Sequence, residues 1–332
     1  MLFLKPVFIL VSLILFLAGC MPVIHPPGEK KGSGLLLSSQ FITEDGVKLP
    51  VRQWLPQSEH PRAVIVALHG FNDYSHFFQL PGKYFSARDI ACFAYDQRGF
   101  GQAPQPGLWA GISAYTEDAA LFVHLIREKY PAIPVYLLGE SMGAAVVVVA
   151  QAQRLIDVDG IILSAPAVWG RETMPWYQTA VLWTLSHSVP WMTLTGESVD
   201  IIATDNSRLL TEMAKDPLII KETRVETIYG LVNLMDAALN NAHQVSANTL
   251  ILYGEKDEVI PKAPTALFVA DMLHDKQQEE TTVAVYPNGY HMLLRDLQAQ
   301  LVWDDILGWI NNDPAVLTFG SERWSKGLLK QP

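Results

Sequence analysis

Charge is scarce in this chain of 332 residues: Asp, Glu, Lys and Arg make up only 17% of it. The basic sign is the scarcer one, with 24 Lys and Arg against 34 Asp and Glu and a formal net charge of −10. That balance argues against a nucleic-acid binder, which needs a basic face to meet phosphate. Cysteine is nearly missing, with Cys20 and Cys92 alone. Two cysteines cannot form a disulfide framework, so the fold must rest on its core. Cys92 stands in the apolar run Ala91–Tyr95 and reads as buried filler. Internal repeats are absent as well. Against these scarcities stands a hydrophobic content of 49%, too high for a disordered chain and enough to fill one large α/β domain.

Part of that apolar content lies at the start. Lys5 is the only charge before Cys20, and Val7–Leu17 is an almost wholly apolar run. The run falls short of the ~20 residues that span a bilayer and has the length of a secretory h-region. It ends in Leu17-Ala18-Gly19-Cys20, which resembles the bacterial lipobox. The resemblance implies that residues 1–19 are a signal peptide and that Cys20 carries lipid and holds the protein on a membrane of the bacterial cell envelope. Met21, where an Asp would favour inner-membrane retention, favours the outer membrane in a Gram-negative cell. Residues 20–35, rich in proline and glycine, are expected to form a flexible tether.

Beyond the tether, Gln40–Glu44 and Val47–Leu55 flank Asp45-Gly46, a hairpin signal. Short runs rich in β-branched and aromatic residues then recur at Ala63–Leu68, Ala91–Tyr95, Val135–Leu138, Gly160–Ser164, Thr249–Tyr253 and, more weakly, Val283–Tyr286. Their near-continuous apolarity predicts strands covered on both faces, as in a parallel sheet. Helix-length segments separate them at about 76–88, 114–130, 142–155, 261–274 and 296–310. Such alternation predicts right-handed βαβ units with a site at the carboxyl ends of the strands. The expected fold class is α/β, a mostly parallel central sheet with helices on both faces. The core takes 36–166 and 246–310, a helical cap is inserted at 167–245, and 311–332 is a tail of unassigned role. An insertion is required because the gap before 249 is far longer than a plain connection.

Strand Val135–Leu138 leads into Gly139-Glu140-Ser141-Met142-Gly143, a G-x-S-x-G turn followed by an apolar helix. Side chains at 139 and 143 would collide with neighbouring backbone, so Gly139 and Gly143 allow a tight elbow that exposes the Ser141 hydroxyl. Serine is a poor nucleophile and needs a base. His291, in a loop after the last strand, reaches the same sheet edge. The acid is expected between them, and Asp257 directly follows strand Thr249–Tyr253, with Glu255 and Glu258 as lesser alternatives. The order Ser…Asp…His is that of the α/β-hydrolases. Oxyanion donors are expected from the backbone amides of Phe71 and Met142. His69, Asp96 and Arg98 read as structural braces, and Glu140 as a buried carboxylate able to tune the site from beside Ser141.

These motifs together resemble the monoacylglycerol lipase and lysophospholipase family of serine α/β-hydrolases. The resemblance spans about 40–310 and is carried by HGFND at 69–73, YDQRGFGQA at 95–103, GESMGA at 139–144, LYGEKDEVIP at 252–261 and NGYHMLLRD at 288–296. It implies hydrolysis of acyl esters without metal or cofactor. Two positions depart from the pattern: Glu140 stands where many members have histidine, and Phe71 stands where a small residue is common.

Within the cap segment, Trp169, Trp176, Trp183 and Trp191 stand close together, and Thr173–Gly196 holds no Asp, Glu, Lys or Arg. Seven-residue spacing places Trp176 and Trp183 near one helical face if Pro175 opens the helix. One reading buries this cap on the core. The sharper one makes Trp176 and Trp183 an acyl-chain pocket or a surface that dips into the bilayer interface. A peptidase or amidase on the same triad would want acidic groups for the substrate's amine, which Glu197, Asp200 and Asp205 could supply. Acyl transfer to an alcohol would use identical residues. A non-catalytic envelope lipoprotein on this scaffold would not need the three groups together.

Overall fold

The computed structural model describes residues 21–196, 201–273 and 281–312. Cys20 and the signal-like run before it, Glu197 and Asp200 of the cap, and 313–332 of the tail lie outside the described residues. A nine-stranded sheet forms the centre. It begins with three antiparallel strands, β1 (Leu35–Leu36), β2 (Gln40–Ile42) and β3 (Lys48–Trp54), with Gly46 at φ +84° in the predicted hairpin turn. The rest are β4 (Ala63–Leu68), β5 (Ile90–Tyr95), β6 (Val135–Glu140), β7 (Gly160–Ser164), β10 (Thr249–Gly254) and β11 (Thr281–Tyr286). The spatial order is β1-β2-β3-β5-β4-β6-β7-β10-β11, with every pair from β5 onward parallel.

The strands are apolar throughout because both faces are covered. In β4, Val64, Val66 and Leu68 join one core layer, while Ile65 and Ala67 join the other. The first layer lies under α2 (Ile112–Lys129), α3 (Met142–Ala152) and α7 (Lys262–Met272). The second lies under α1 (Gln79–Ser86) and α8 (Ala299–Ile310), where Phe85, Val302, Ile306 and Trp309 meet the sheet. Cys92 is fully buried in this second layer, and burial raises its thiol pKa well above the ordinary value. Burial of these layers is the main stabilising term, at ~25 cal/mol per Å² of apolar surface.

The predicted helices form with adjusted ends. The segment expected at 76–88 opens as a 3₁₀ turn, Ser75–Phe78, before α1. The last helix starts at Ala299 rather than near 296, because Asp296 is held in the loop by the Tyr290 amide and the Thr204 hydroxyl. The expected tether has no regular element up to residue 32, but it lies along the body. His25 N donates to Trp109 O at 2.8 Å, Gly28 N to Asp45 Oδ2 at 2.9 Å, and Val23 N to Glu226 Oε2 at 3.2 Å. Arg98 bridges Asp45 and Asp118 across the sheet edge with four hydrogen bonds of 2.7–3.0 Å, which is the bracing role its sequence suggests.

The insertion carries α4 (Trp176–Ser188), α5 (Ser207–Lys215), α6 (Val225–Asn240) and a two-stranded ribbon, β8 (Thr193–Thr195) with β9 (Glu222–Arg224). Its helices differ sharply in burial. Val232, Leu234, Met235 and Ala238 of α6 are part of the core that covers α3. On α4 only Ser186 is buried, because apolar residues surround the helix and no single face gathers them. Trp176 is 79% exposed and Trp183 55%. The reading that buries the tryptophan-rich cap on the core therefore fails for α4 and describes α6 instead.

Candidate active site

The parallel strands aim their carboxyl ends at one edge of the sheet, and the loops there gather the polar groups. At the end of β6 the chain turns through Ser141 at φ +54° and ψ −114°, a strained backbone for any residue but glycine. Two glycines permit that turn. A Cβ on Gly139 would lie 2.3 Å from the Ala144 nitrogen, and one on Gly143 2.3 Å from the Leu68 carbonyl oxygen. Ser141 N donates to Ser164 O at 2.9 Å, and Ser141 O accepts from Ala145 N and Ala167 N, so the elbow is fixed on both sides. The positive end of α3 faces the serine.

His291 is buried at this edge. Its Nε2 lies 2.9 Å from Ser141 Oγ, and its Nδ1 lies 2.8 Å from Asp257 Oδ2. With a neutral imidazole, Nδ1–H donates to the carboxylate and the serine hydroxyl donates to Nε2. Asp257 is held in turn by amides: its Oδ1 accepts from Val259 N at 2.8 Å and Ile260 N at 2.9 Å. Burial disfavours a charged His291, but Asp257 and then Glu140 favour it, and the net pKa lies above the ordinary 6.5. The alternatives to Asp257 are engaged elsewhere or turned outward. Glu258 accepts from Ile202 N at 2.8 Å in the returning cap segment, and Glu255 is exposed.

Phe71 and Met142 flank the serine, Met142 as the first residue of α3. Among the described residues neither backbone amide donates to a protein acceptor, so both are available to a negatively charged oxygen. A Cβ on Gly70 would lie 3.3 Å from Ser141 Cβ, so the absent side chain lets the Phe71 loop sit close to the serine. Phe71 also lines a groove of about 920 Å³ whose apolar lining includes Leu194, Leu210, Met213, Ile219 and Ile228. Neither Trp176 nor Trp183 is among the residues that line that groove. Trp183 stacks on His187 with ring centres 4.4 Å apart.

His69 does not approach Ser141 by any hydrogen bond among the described residues. Its Nδ1 bonds to Gly70 O at 2.8 Å and its Nε2 accepts from Gln97 N at 2.9 Å, and burial lowers its pKa. It braces the oxyanion loop as a neutral ring. Asp96 likewise accepts from Ser75 N and Gln102 N.

Two functional neighbours carry no role in the sequence reading although they stand inside quoted motifs. Arg295 Nη2 lies 2.6 Å from Glu140 Oε1, and Arg295 Nη1 lies 2.7 Å from Asp73 Oδ2. A buried glutamate beside the nucleophile demands a cationic partner, and NGYHMLLRD offers one. Sequence spacing alone cannot tell which cation folds back.

Comparison with known proteins gives this edge a context. Residues 59–298 match the family model described as serine aminopeptidase, S33. The chain is 26% identical over 272 residues to a monoacylglycerol lipase of Mycolicibacterium smegmatis, covering 81% of this chain and 95% of that protein. It is 25% identical over 282 residues to a monoglyceride lipase of Rattus norvegicus, covering 83% and 91%. Among solved structures, a soluble variant of monoglyceride lipase from Saccharomyces cerevisiae in complex with a substrate analog superposes with a TM-score of 0.68 at 20% identity, covering 88% of this chain and 98% of that one. The chain is an enzyme, a serine hydrolase of acyl esters with the α/β-hydrolase fold. It belongs to the serine aminopeptidase, S33 family.

Proposed function

We propose that Ser141, His291 and Asp257 form the catalytic triad and that the natural substrates are monoacylglycerols, lysophospholipids or similar esters of medium to long acyl chains. The observation that carries this reading is the imidazole of His291 held between Ser141 Oγ and Asp257 Oδ2, next to a largely apolar groove. Ser141 Oγ attacks the acyl carbonyl while its proton passes to His291 Nε2. The amides of Phe71 and Met142 hold the developing oxyanion, and Asp257 stabilises the imidazolium. His291 then gives the proton to the departing alcohol, leaving an acyl group on Ser141. Water attacks this ester, loses its proton to His291, and releases the fatty acid and the free serine.

The groove lining supports an acyl chain rather than a peptide: hydrocarbon gains by leaving water there. Attachment of lipid to Cys20, within the lipobox-like run, would keep the enzyme on an envelope membrane, the outer one in a Gram-negative cell. The exposed rings of α4 suit contact with the bilayer interface, where tryptophan is enriched. The family description favours a second reading, release of amino-terminal residues from peptides.

A panel of monoacylglycerols, lysophospholipids and p-nitrophenyl esters of graded chain length, with aminoacyl p-nitroanilides beside them, separates these readings. The expected result is kcat/KM that rises with acyl length and anilide turnover at background. Preference for the anilides would replace the lipase reading with the peptidase one. Background turnover of every ester would favour a binding lipoprotein. Products run with added glycerol distinguish hydrolysis from acyl transfer.

A further inference from the structure

Glu140, Arg295 and Asp73 form a buried charged cluster that the triad chemistry does not use. All three are less than a tenth exposed. Each comes from a different piece of the active edge. Glu140 ends β6, one residue before the nucleophile. Arg295 lies in the turn four residues after His291. Asp73 lies two residues after Phe71, where its Oδ1 accepts from Tyr74 N at 2.8 Å. The guanidinium spreads its two terminal nitrogens between the two carboxylates, one each. A lysine would meet both carboxylates through one point-like nitrogen, without the fixed planar spacing of the guanidinium's two terminal nitrogens.

The cluster holds two carboxyl groups against one cation. Glu140 Oε2, Asp73 Oδ2 and Arg295 Nε are buried and make no hydrogen bond among the described residues, so Arg295 hydrogen-bonds Glu140 through Oε1 and meets Asp73 as an ion pair. A buried pair of this kind is seldom the most stable way to fill such a space, since apolar residues of equal volume often do as well or better. Its place, joining the loops of the nucleophile, the base and the oxyanion donor, gives it another purpose.

We propose that Arg295 is a positioning residue that clamps the base loop to the elbow through Glu140 and to the oxyanion loop through Asp73, and that Glu140 acts as a second carboxylate stabilising the imidazolium of His291. This rests on the triad reading above. Glu140 is the residue before Ser141, whose Oγ lies 2.9 Å from His291 Nε2. Burial disfavours the imidazolium, Asp257 by direct hydrogen bond and then Glu140 favour it, and Arg295 disfavours it. Glu140 itself is pushed up by burial and by Asp73, and pulled down by Arg295 and His291. Asp296, on the same turn, is pushed up to about 6 by burial, with Asp205 and Glu140 adding to the rise. Because Asp296 is a second ionisable group on the same turn with a raised pKa, the imidazole must be read by its own signal as well as by rate.

The test compares wild type with Glu140→Gln, Asp73→Asn and Arg295→Lys on one soluble ester. Each is measured for kcat and KM against pH, and for the low-field proton NMR signal of His291 Nδ1–H. Glu140→Gln keeps the shape and removes the charge. It is expected to move the acid limb of kcat/KM and the titration of the His291 signal together to lower pH, by roughly half a unit or more. Arg295→Lys is expected to lower kcat about tenfold or more with KM little changed, because the loops lose alignment for the transition state. Asp73→Asn should lower kcat by less. If Arg295→Lys does not fold, Glu140→Gln alone decides the electrostatic half and Asp73→Asn the clamping half. An unmoved limb and an unmoved NMR titration in Glu140→Gln, with kcat kept in Asp73→Asn, overturn the proposal and leave the cluster as structural filling. Fluorophosphonate labelling of wild type is run in parallel. Labelling at Ser141 together with those null results removes this inference alone, whereas no labelling at Ser141 removes the triad reading and this inference together.

Discussion

The sheet edge and helix α4 treat polarity in opposite ways. At the edge, Asp73, Glu140, Asp257, His291 and Arg295 are charged or ionisable and are all buried. On α4, Trp176, Tyr177, Val181 and Trp183 are apolar or aromatic and are all more than half exposed. Each region reverses the usual sorting of residues between inside and outside. Such reversals cost stability, and in a folded chain they gather where function needs them. In the proposed mechanism the edge buries charge to hold a nucleophile, a base and oxyanion donors in place. The helix presents apolar surface that nothing described in the chain covers, although the neighbouring α6 of the same insertion is part of the core.

The contrast can be broken first at the edge. His291→Ala removes the base and is expected to lower kcat about ten-thousandfold, with KM little affected, in steady-state ester hydrolysis. A loss below tenfold would mean that another group accepts the serine's proton. Next in size is Arg295→Met, which leaves Glu140 and Asp73 buried without a cation. It should destabilise the fold by about 3–5 kcal/mol, read by denaturant or thermal melting. An unchanged melting curve would show that the cluster is not charged. A pH profile gives a smaller effect. In the proposed mechanism His291 works as a neutral base, and its pKa is raised by Asp257 and Glu140 against the opposing effect of burial. Activity should therefore fall on acidification through a midpoint above 6.5. A midpoint below that value would contradict the buried-charge account.

The smallest effect on the fold is expected on α4. Trp176→Ala with Trp183→Ala should change stability by less than about 0.5 kcal/mol, because neither ring is buried. Activity on long-chain ester in vesicles should drop, while activity on a soluble short-chain ester stays. Equal losses on both substrates would mean that these rings shape the site rather than meet a bilayer.

Much of this arrangement is legible in the sequence because it rests on local rules. The strands at Ala63–Leu68, Val135–Leu138 and Thr249–Tyr253 announce themselves by continuous apolarity, which follows from cover on both faces. The order Ser141, Asp257, His291 and the strand before each loop suffice to bring the three side chains to one edge. Other features depend on contacts that no spacing reveals. The burial of α6 and the exposure of α4 are set by which helix meets α3, and both segments are apolar in sequence. The 21–32 segment reads as loose from its prolines and glycines, yet its backbone finds partners in Glu44, Asp45, Trp109 and Glu226. Arg295 was in plain view four residues beyond His291, but its partners lie 155 and 222 positions away along the chain.

The central claim is that Ser141 is made nucleophilic by its place between the elbow and His291. Labelling with a fluorophosphonate probe, followed by mass spectrometry of the modified peptide, tests it most directly. The account predicts one adduct, on Ser141, with labelling abolished in Ser141→Ala and strongly slowed in His291→Ala. Equal labelling of wild type and Ser141→Ala would contradict it.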